Sequence, residues 1–167
     1  MSFHIEELKE SHWSQVSEIY LEGIKTGKAT FQPSMPTWEG FNSSHVKNCR
    51  FVAVSEAAEV LGWIALSPTS SRCVYAGVAE VSVYIGEKHR GKGVGAALMN
   101  HLIKQSEESG FWTLQSGVIK ENISSISLHK KCGFREIGIR EKVGRMQNGS
   151  WHDVVLLERR SKVVGIE

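Results

Sequence analysis

The sequence predicts a single α/β domain spanning residues 1–167, in which one mixed sheet carries helices on its faces. Three observations support this fold class. The length of 167 residues fits one domain with a full hydrophobic core. Hydrophobic residues make up 41% and charged residues 23%, which is typical of a globular chain. Segments typical of strands and helices follow one another in the order β, α, β, β, β, α, β, α, β, β.

The first elements are predicted to be a strand and a helix. Apolar and polar residues alternate over residues 3–8, as in a half-buried strand. Apolar residues then recur at helical spacing from an N-cap at Ser11 until Gly23 and Gly27 end the pattern. The periodicity is lost over 28–48, apart from a helical turn or two near its end, so this stretch is predicted to be a long and irregular connection.

The middle of the chain is predicted to hold a hairpin followed by a strand–helix–strand unit. Residues 50–55 and 60–67 are rich in strand-forming residues and are separated by a short polar connection, which indicates an antiparallel hairpin. A β-branched strand over 78–85, an amphipathic helix over 94–110 and a strand over 112–119 then form one βαβ-like unit.

The end of the chain is predicted to form a short helix and two strands. Asn122 or Ser124 can cap a helix that runs to residue 132. Strands are predicted over 134–141 and 151–158, and the loop joining them is expected to contain Gly144.

Composition also bears on partners and location. The 20 Lys and Arg residues against 18 Asp and Glu residues give a net charge of +2, so no nucleic-acid partner is expected. The longest apolar run, 60–66, is too short to cross a bilayer, and no membrane partner is expected. Cys49, Cys73 and Cys132 lie at long spacings without a zinc-binding pattern, which predicts no metal and a reducing, cytoplasmic location.

Glycines and cations cluster between the predicted strand 78–85 and the helix that follows it. The run Arg90-Gly91-Lys92-Gly93-Val94-Gly95 places backbone amides at a helix N-terminus, beside two positive side chains. This arrangement predicts a pyrophosphate site. The alternative, a tight turn alone, needs only one or two of the glycines. The chain has no Walker A sequence, and a dinucleotide fingerprint ending at Ala96 lacks the repeated βαβ units that it requires.

Several segments together resemble a known family. Arg90-x-x-Gly93-x-Gly95 resembles the R/Q-x-x-G-x-G/A acetyl-CoA loop of the GNAT N-acetyltransferases. Residues 79–85, 122–134 and 149–154, with an early Thr30-Phe31 pair, resemble the phosphinothricin acetyltransferase family within it. The resemblance implies a largely antiparallel sheet with a splayed parallel centre, acetyl-CoA as co-substrate, a small-molecule amine as acceptor, and a homodimer.

The resemblance also implies a coenzyme site. Backbone groups of Val83 and Ile85 would pair with the pantetheine arm, as an added strand would. Amides from Gly91 through Ala96 would hold the pyrophosphate. The residues implied in coenzyme binding are Val83, Tyr84, Ile85, Arg90, Gly91, Lys92, Gly93, Val94, Gly95, Ala96 and Asn122.

Two residues are predicted to be catalytic. Glu80 shares a strand face with Ser82 and Tyr84 and is expected to be the base that neutralises an ammonium, whereas the alternative places it on the solvated face of an edge strand. His129 is expected to protonate the leaving thiolate as an imidazolium, and its alternative is a surface or helix-C-terminal histidine stabilised by the helix dipole. Backbone amides around 81–83 are expected to stabilise the developing oxyanion, with direct transfer and no acetyl-enzyme.

The acceptor is predicted to be a small amino-acid-like amine such as phosphinothricin or methionine sulfoximine. The resemblance implies that Thr30, Phe31, Arg72 and Tyr75 bind it, because a guanidinium suits a carboxylate or phosphinate. Arg72 as a solvated loop charge is the alternative. Ala76 departs from the family, whose members are often polar there. A different class of function also stays open: a sensor or regulatory module that binds acyl-CoA without turnover.

Overall fold

The computed structural model describes residues 2–167, and across them the chain forms one seven-stranded sheet with helices on both faces. The strands are β1 Phe3–Glu7, β2 Arg50–Ser55, β3 Val60–Pro68, β4 Val78–Ile85, β5 Thr113–Ile119, β6 Arg135–Arg145 and β7 Trp151–Arg160. The helices are α1 Trp13–Lys25, α2 Trp38–Ser44, α3 Val94–Glu108 and α4 Ile123–Lys131. The strand order is β1-β2-β3-β4-β5-β7-β6, and the predicted fold class is confirmed.

The sheet separates two hydrophobic cores. Leu98, Met99 and Leu102 of α3 pack on one face together with Ile64 and Val81. Val16 of α1 and Phe41 of α2 pack on the other face around Trp63. Because neighbouring residues of a strand point to opposite faces, β3 and β4 contribute to both cores.

The sheet opens at its centre. All strand pairs are antiparallel except β4 with β5, which are parallel and paired only from Val78 opposite Thr113 to Glu80 opposite Gln115. Residues 81–85 of β4 therefore lack a strand neighbour on the β5 side, while they remain paired with β3 on the other. This is the splayed parallel centre that the resemblance implied.

Helix α1 continues through Gly23 and ends at Lys25, just before the predicted stop at Gly27. Position 23 requires a glycine for a different reason, since a Cβ there would lie 2.7 Å from the Tyr84 ring. The predicted end of β6 is wrong. Strand β6 extends to Arg145, so Gly144 lies in the strand opposite His152 and not in a loop. The register of β6 shifts between residues 140 and 144, and this irregularity hides the strand from a period-two pattern.

Regarding membranes, none of the helices formed by residues 2–167 has the length and apolar character needed to cross a bilayer.

Candidate active site

The open edge of β4 presents backbone groups to the gap beside β5. The N–H of Gly86 donates to the carbonyl oxygen of Leu61 in β3, at 2.8 Å. Backbone groups alternate in direction along a strand, so the N–H and C=O groups of Val83 and Ile85 point away from β3 and into the gap. Arg90 lies at the end of this edge, where its Nε donates to the carbonyl oxygen of Ile85 at 3.3 Å.

A cavity of about 430 Å³, here named the glycine-loop cavity, lies between the end of β4, the N-terminus of α3 and α4. Gly93 is the N-cap of α3 with φ +84°, and Gly91 has φ +73°. A Cβ at either position would have no heavy atom within 4 Å, so both glycines leave the cavity side of the backbone open. The predicted residues that line this cavity are Val83, Tyr84, Ile85, Arg90, Gly91, Gly93, Val94, Gly95, Ala96 and Asn122.

Sequence reasoning missed two cations of the glycine-loop cavity. Lys28, from the connection after α1, and Lys131, at the end of α4, both line it. Lys92 was predicted to bind the coenzyme, but it is exposed and does not belong to the lining. The loop sequence alone could not reveal the two lysines, because they come from distant parts of the chain.

A second cavity of about 190 Å³, here named the Glu80 cavity, adjoins the first. It brings together four of the predicted catalytic and acceptor-binding residues from three separate parts of the chain: Thr30, Phe31, Glu80 and His129. The two cavities share the lining residues Ala29, Val83, Tyr84, Asn122 and Ser125. They therefore meet at the open edge of β4.

Glu80 is the last β4 residue that is paired with β5. The edge-strand part of the predicted alternative is wrong, because β4 lies between β3 and β5 at this point. The solvated part holds, because Glu80 itself is exposed. The side chain keeps contact with solvent, yet the surrounding protein removes part of its hydration, and this burial raises the pKa of the Glu80 carboxyl above its usual value.

His129 is buried, with only 1% of its surface exposed, so the surface part of its alternative is wrong. The helix-C-terminal part holds, because His129 lies in the last turn of α4. Its Nδ1 lies 2.6 Å from the carbonyl oxygen of Ser125. A carbonyl oxygen only accepts, so Nδ1 carries the proton and donates it. The other nitrogen, Nε2, is buried and has no hydrogen-bond partner among residues 2–167. The edge of this ring faces Phe134, at 5.1 Å between ring centroids.

Burial lowers the pKa of the His129 imidazole, and the hydrogen bond to Ser125 offsets this only in part. The resting histidine is therefore neutral near pH 7, with a lone pair on Nε2. The predicted imidazolium therefore has to form during the reaction: Nε2 accepts a proton first and donates one only afterwards.

Tyr84 lies where the two cavities join. Its ring stacks on Trp63 at 4.9 Å and on Tyr20 at 5.0 Å between centroids, and it fills the space left by Gly23. Burial raises the pKa of the Tyr84 phenol, which stays protonated at physiological pH. The residue was predicted only as a coenzyme contact, whereas it also lines the Glu80 cavity.

Two predicted acceptor residues lie elsewhere. Tyr75 belongs to the short turn Cys73–Tyr75 between β3 and β4, and it is 47% exposed. The guanidinium of Arg72 lies 5.6 Å from the centre of the Tyr75 ring. Neither residue lines either cavity. Arg72 is exposed, and its role in acceptor binding stays a prediction. Ala76 directly follows the same exposed turn.

No group of three or more His, Cys, Asp or Glu side chains is arranged as a metal site within the described part of the chain.

The sequence is similar to a family profile and to individual proteins of the same enzyme class. The sequence profile of the acetyltransferase (GNAT) family matches residues 8–134. A methionine sulfoximine/sulfone acetyltransferase of Pseudomonas aeruginosa is 32% identical over 107 residues, which cover 64% of this chain and 62% of that protein. The chain thus spans less than two thirds of that relative. A phosphinothricin N-acetyltransferase of Alcaligenes faecalis is 29% identical over 86% of this chain and 75% of its own length.

The fold comparison agrees. A GNAT superfamily phosphinothricin acetyltransferase from Sinorhizobium meliloti, solved in complex with acetyl-CoA, superposes with a TM-score of 0.89. It is 25% identical, and the match covers all of this chain and 92% of that one. With the profile match covering most of the sequence, the chain belongs to the acetyltransferase (GNAT) family.

Proposed function

We propose that the chain, as one catalytic domain over residues 1–167, is an acetyl-CoA-dependent N-acetyltransferase that acts on a small amino-acid-like amine. One observation carries the proposal: the two cavities meet at the open edge of β4. A thioester that extends from the glycine-loop cavity would end beside Val83, where the Glu80 cavity can present an amine. Direct transfer follows, because both substrates can occupy the site together.

The residues of the glycine-loop cavity fit acetyl-CoA, the co-substrate that GNAT acetyltransferases use. The open backbone at Gly91 and Gly93 suits a pyrophosphate, and the dipole of α3 favours an anion there. Arg90, Lys28 and Lys131 supply positive charge. When bound, acetyl-CoA supplies an acetyl group activated as a thioester. The N–H of Val83 faces the gap and can donate to the acetyl carbonyl oxygen as negative charge develops on it.

The acceptor ammonium has to lose two protons for the C–N bond to form, while the leaving thiolate takes up one. Glu80 removes the first proton through a bridging water, so that the neutral amine can attack. Its raised pKa makes the carboxylate a stronger base than an ordinary glutamate. This proton is later released to solvent.

His129 moves the second proton. As the C–N bond forms, Nε2 accepts the remaining excess proton of the amine nitrogen. We assign this role to Nε2 because His129 lines the Glu80 cavity and Nε2 is its ring nitrogen without a partner among residues 2–167. As the C–S bond breaks, the resulting imidazolium gives this proton to the thiolate sulfur. Burial favours this return to the neutral form.

The acceptor class is supported by the relatives that act on phosphinothricin and methionine sulfoximine and by the size of the Glu80 cavity, about 190 Å³. Thr30 and Phe31 are the predicted acceptor residues that lie in this cavity. Arg72 and Tyr75 do not line this cavity, and their role in acceptor binding stays a prediction.

The test is a thiol-release assay with acetyl-CoA and a panel of phosphinothricin, methionine sulfoximine, common amino acids and polyamines. We expect turnover with the first two, and a loss of about 10²- to 10⁴-fold in kcat for Glu80→Gln. The exposed Glu141 on β6 supplies a matched control, Glu141→Gln, which should keep wild-type kcat. Acetyl-CoA binding without turnover on any acceptor would favour the acyl-CoA sensor.

A homodimer is proposed from the last two strands. Ile137, Ile139 and Val143 of β6 and Trp151 of β7 are large apolar side chains that are 45–56% exposed. Strand β6 is also an edge of the sheet, where unpaired backbone groups favour association. Light scattering should give twice the 18.6 kDa chain mass, and Ile139→Lys should return it to the mass of one chain.

A cytoplasmic location is proposed as well. All three cysteines are free thiols in the structure, which suits a reducing compartment.

A further inference from the structure

Gly144 lies directly against the Phe31 ring. A Cβ at position 144 would be 2.6 Å from Cε2 of Phe31 and closer still to Cζ and Cε1. Gly144 does not have a positive φ, so its backbone conformation alone does not require glycine. The contact with the ring is therefore what a side chain at this position would disturb.

The Phe31 ring has a second neighbour on β7. The His152 ring lies 6.4 Å from it between centroids, tilted by 59°. His152 is itself held at both nitrogens: Nδ1 lies 3.1 Å from a carboxylate oxygen of Glu121, and Nε2 lies 3.0 Å from Oγ of Ser150. The ring is thus seated between β6 and a fixed side chain of β7.

An irregularity in β6 brings Gly144 to this place. The pairing with β7 slips between Arg140 and Gly144, and Lys142 within the slip has φ +44°. The Lys142 N–H donates to Oδ1 of Asp153 at 2.8 Å, which fixes the bulge. Without the slip, the register after Arg140 would change and a different β6 residue would face Phe31.

We propose that Gly144 is a specificity-determining residue: by seating Phe31 against β6, it keeps the Glu80 cavity deep enough for an acceptor with a carbon chain of several atoms. The inference rests on the proposed function and adds the part of the molecule that selects the acceptor. Phe31 lines the Glu80 cavity and does not line the glycine-loop cavity. A change at Gly144 should therefore alter the binding of the acceptor and not that of the coenzyme.

The variant Gly144→Ala tests the contact between position 144 and the Phe31 ring. To pass from 2.6 Å to the 3.4 Å of an ordinary contact, Cε2 has to retreat by about 0.8 Å, and the closer atoms Cζ and Cε1 have to retreat further. With β6 behind it and His152 beside it, the ring moves into the cavity. Gly138→Ala is the matched control, because Gly138 lies on the same strand and a Cβ there meets nothing within 4 Å.

The measured quantity is the ratio of kcat/KM for methionine sulfoximine to kcat/KM for glycine, which does not depend on the fraction of folded enzyme. Gly144→Ala should lower this ratio about tenfold, the usual effect of one methylene in a pocket. The KM for acetyl-CoA should stay unchanged. The double variant Phe31→Leu/Gly144→Ala should recover part of the ratio, because leucine leaves room for the added methyl.

Crystal structures of both alanine variants give a second result that needs no turnover. The Phe31 ring should be displaced in Gly144→Ala and unmoved in Gly138→Ala. An unmoved ring in Gly144→Ala, or a ratio equal to that of the Gly138 variant, overturns the inference while wild-type turnover upholds the proposed function. If the ring is displaced in Gly144→Ala but the wild-type enzyme turns over no acceptor, the proposed function is overturned. The role of Gly144 in selecting the acceptor then falls with it.

Discussion

The variant Gly93→Ala tests two roles of this glycine: its left-handed backbone conformation and its place in the glycine-loop cavity. Gly93 is the N-cap of α3 with φ +84°, a conformation that costs an alanine about 1–2 kcal/mol. Since a Cβ there has no neighbour within 4 Å, no clash adds to this strain. For a chain of this length, the strain corresponds to a fall in Tm of about 2–8 °C.

Gly93 also lines the glycine-loop cavity, so we expect the added methyl group to lie close to a bound anion. It would push an anion away from at least one backbone amide at the α3 N-terminus. A hydrogen bond to a charged group is worth about 1.5–3 kcal/mol. Losing one such bond to the pyrophosphate therefore weakens acetyl-CoA binding by roughly ten- to a hundredfold.

Gly110→Ala is the control for strain alone. Gly110 follows α3 with φ +88°, also has no neighbour within 4 Å of a Cβ, and lies outside both cavities. Differential scanning calorimetry should give similar losses of Tm for the two variants. Isothermal titration with acetyl-CoA should give a weaker Kd for Gly93→Ala only. Equal Kd values in the two variants would refute the placement of the pyrophosphate at this loop.

Two further predictions concern charge. Burial raises the pKa of Glu80 in the folded chain above its usual value of about 4.5. Ionisation of this carboxyl therefore lowers the free energy of unfolding at pH values above the raised pKa. It has no effect on that free energy below about pH 4.5, where the carboxyl is protonated in both states. Glu80→Gln should therefore have a higher Tm than wild type at pH 7, and thermal melts should show the difference vanishing below about pH 4; a constant difference across this range would contradict the assignment. Lys131→Met should weaken acetyl-CoA binding about tenfold at low salt, whereas Lys130→Met should not, since Lys130 pairs with Glu136 at 2.9 Å and lies outside the cavity lining. Equal titration curves for the two lysine variants would place the coenzyme phosphates elsewhere.

The sequence predicted those parts of the site whose signals are local. The β-branched run of β4 and the glycines before α3 carry their structure within a few residues, and both were placed correctly. The parting of β4 from β5 came from the family resemblance alone, since no local pattern in either strand marks where their pairing ends.

Contacts between distant segments were not predictable in this way. Gly144 looks like a loop glycine, because the bulge at Lys142 interrupts the alternation of β6, and its contact with Phe31 joins segments more than a hundred residues apart. Arg72 was assigned by its spacing from Glu80, but the turn before β4 directs it to solvent. Spacing along a chain fixes direction only within a regular element, and that turn is not one.

Glu80 and His129 both lose hydration in the folded chain, and this loss lowers the stability of the fold while it tunes the two groups for proton transfer. Desolvation disfavours the charged form of each group, so it raises the pKa of the acid and lowers the pKa of the base. These shifts make the Glu80 carboxylate a better proton acceptor, and the His129 imidazolium a better proton donor, than the same groups in water, which suits the roles proposed for them. Each shift is also a cost to the folded state at pH values where the group is charged. A cavity that only stabilised the fold would be lined by apolar side chains, and the retention of both groups there favours the catalytic assignment over the acyl-CoA sensor.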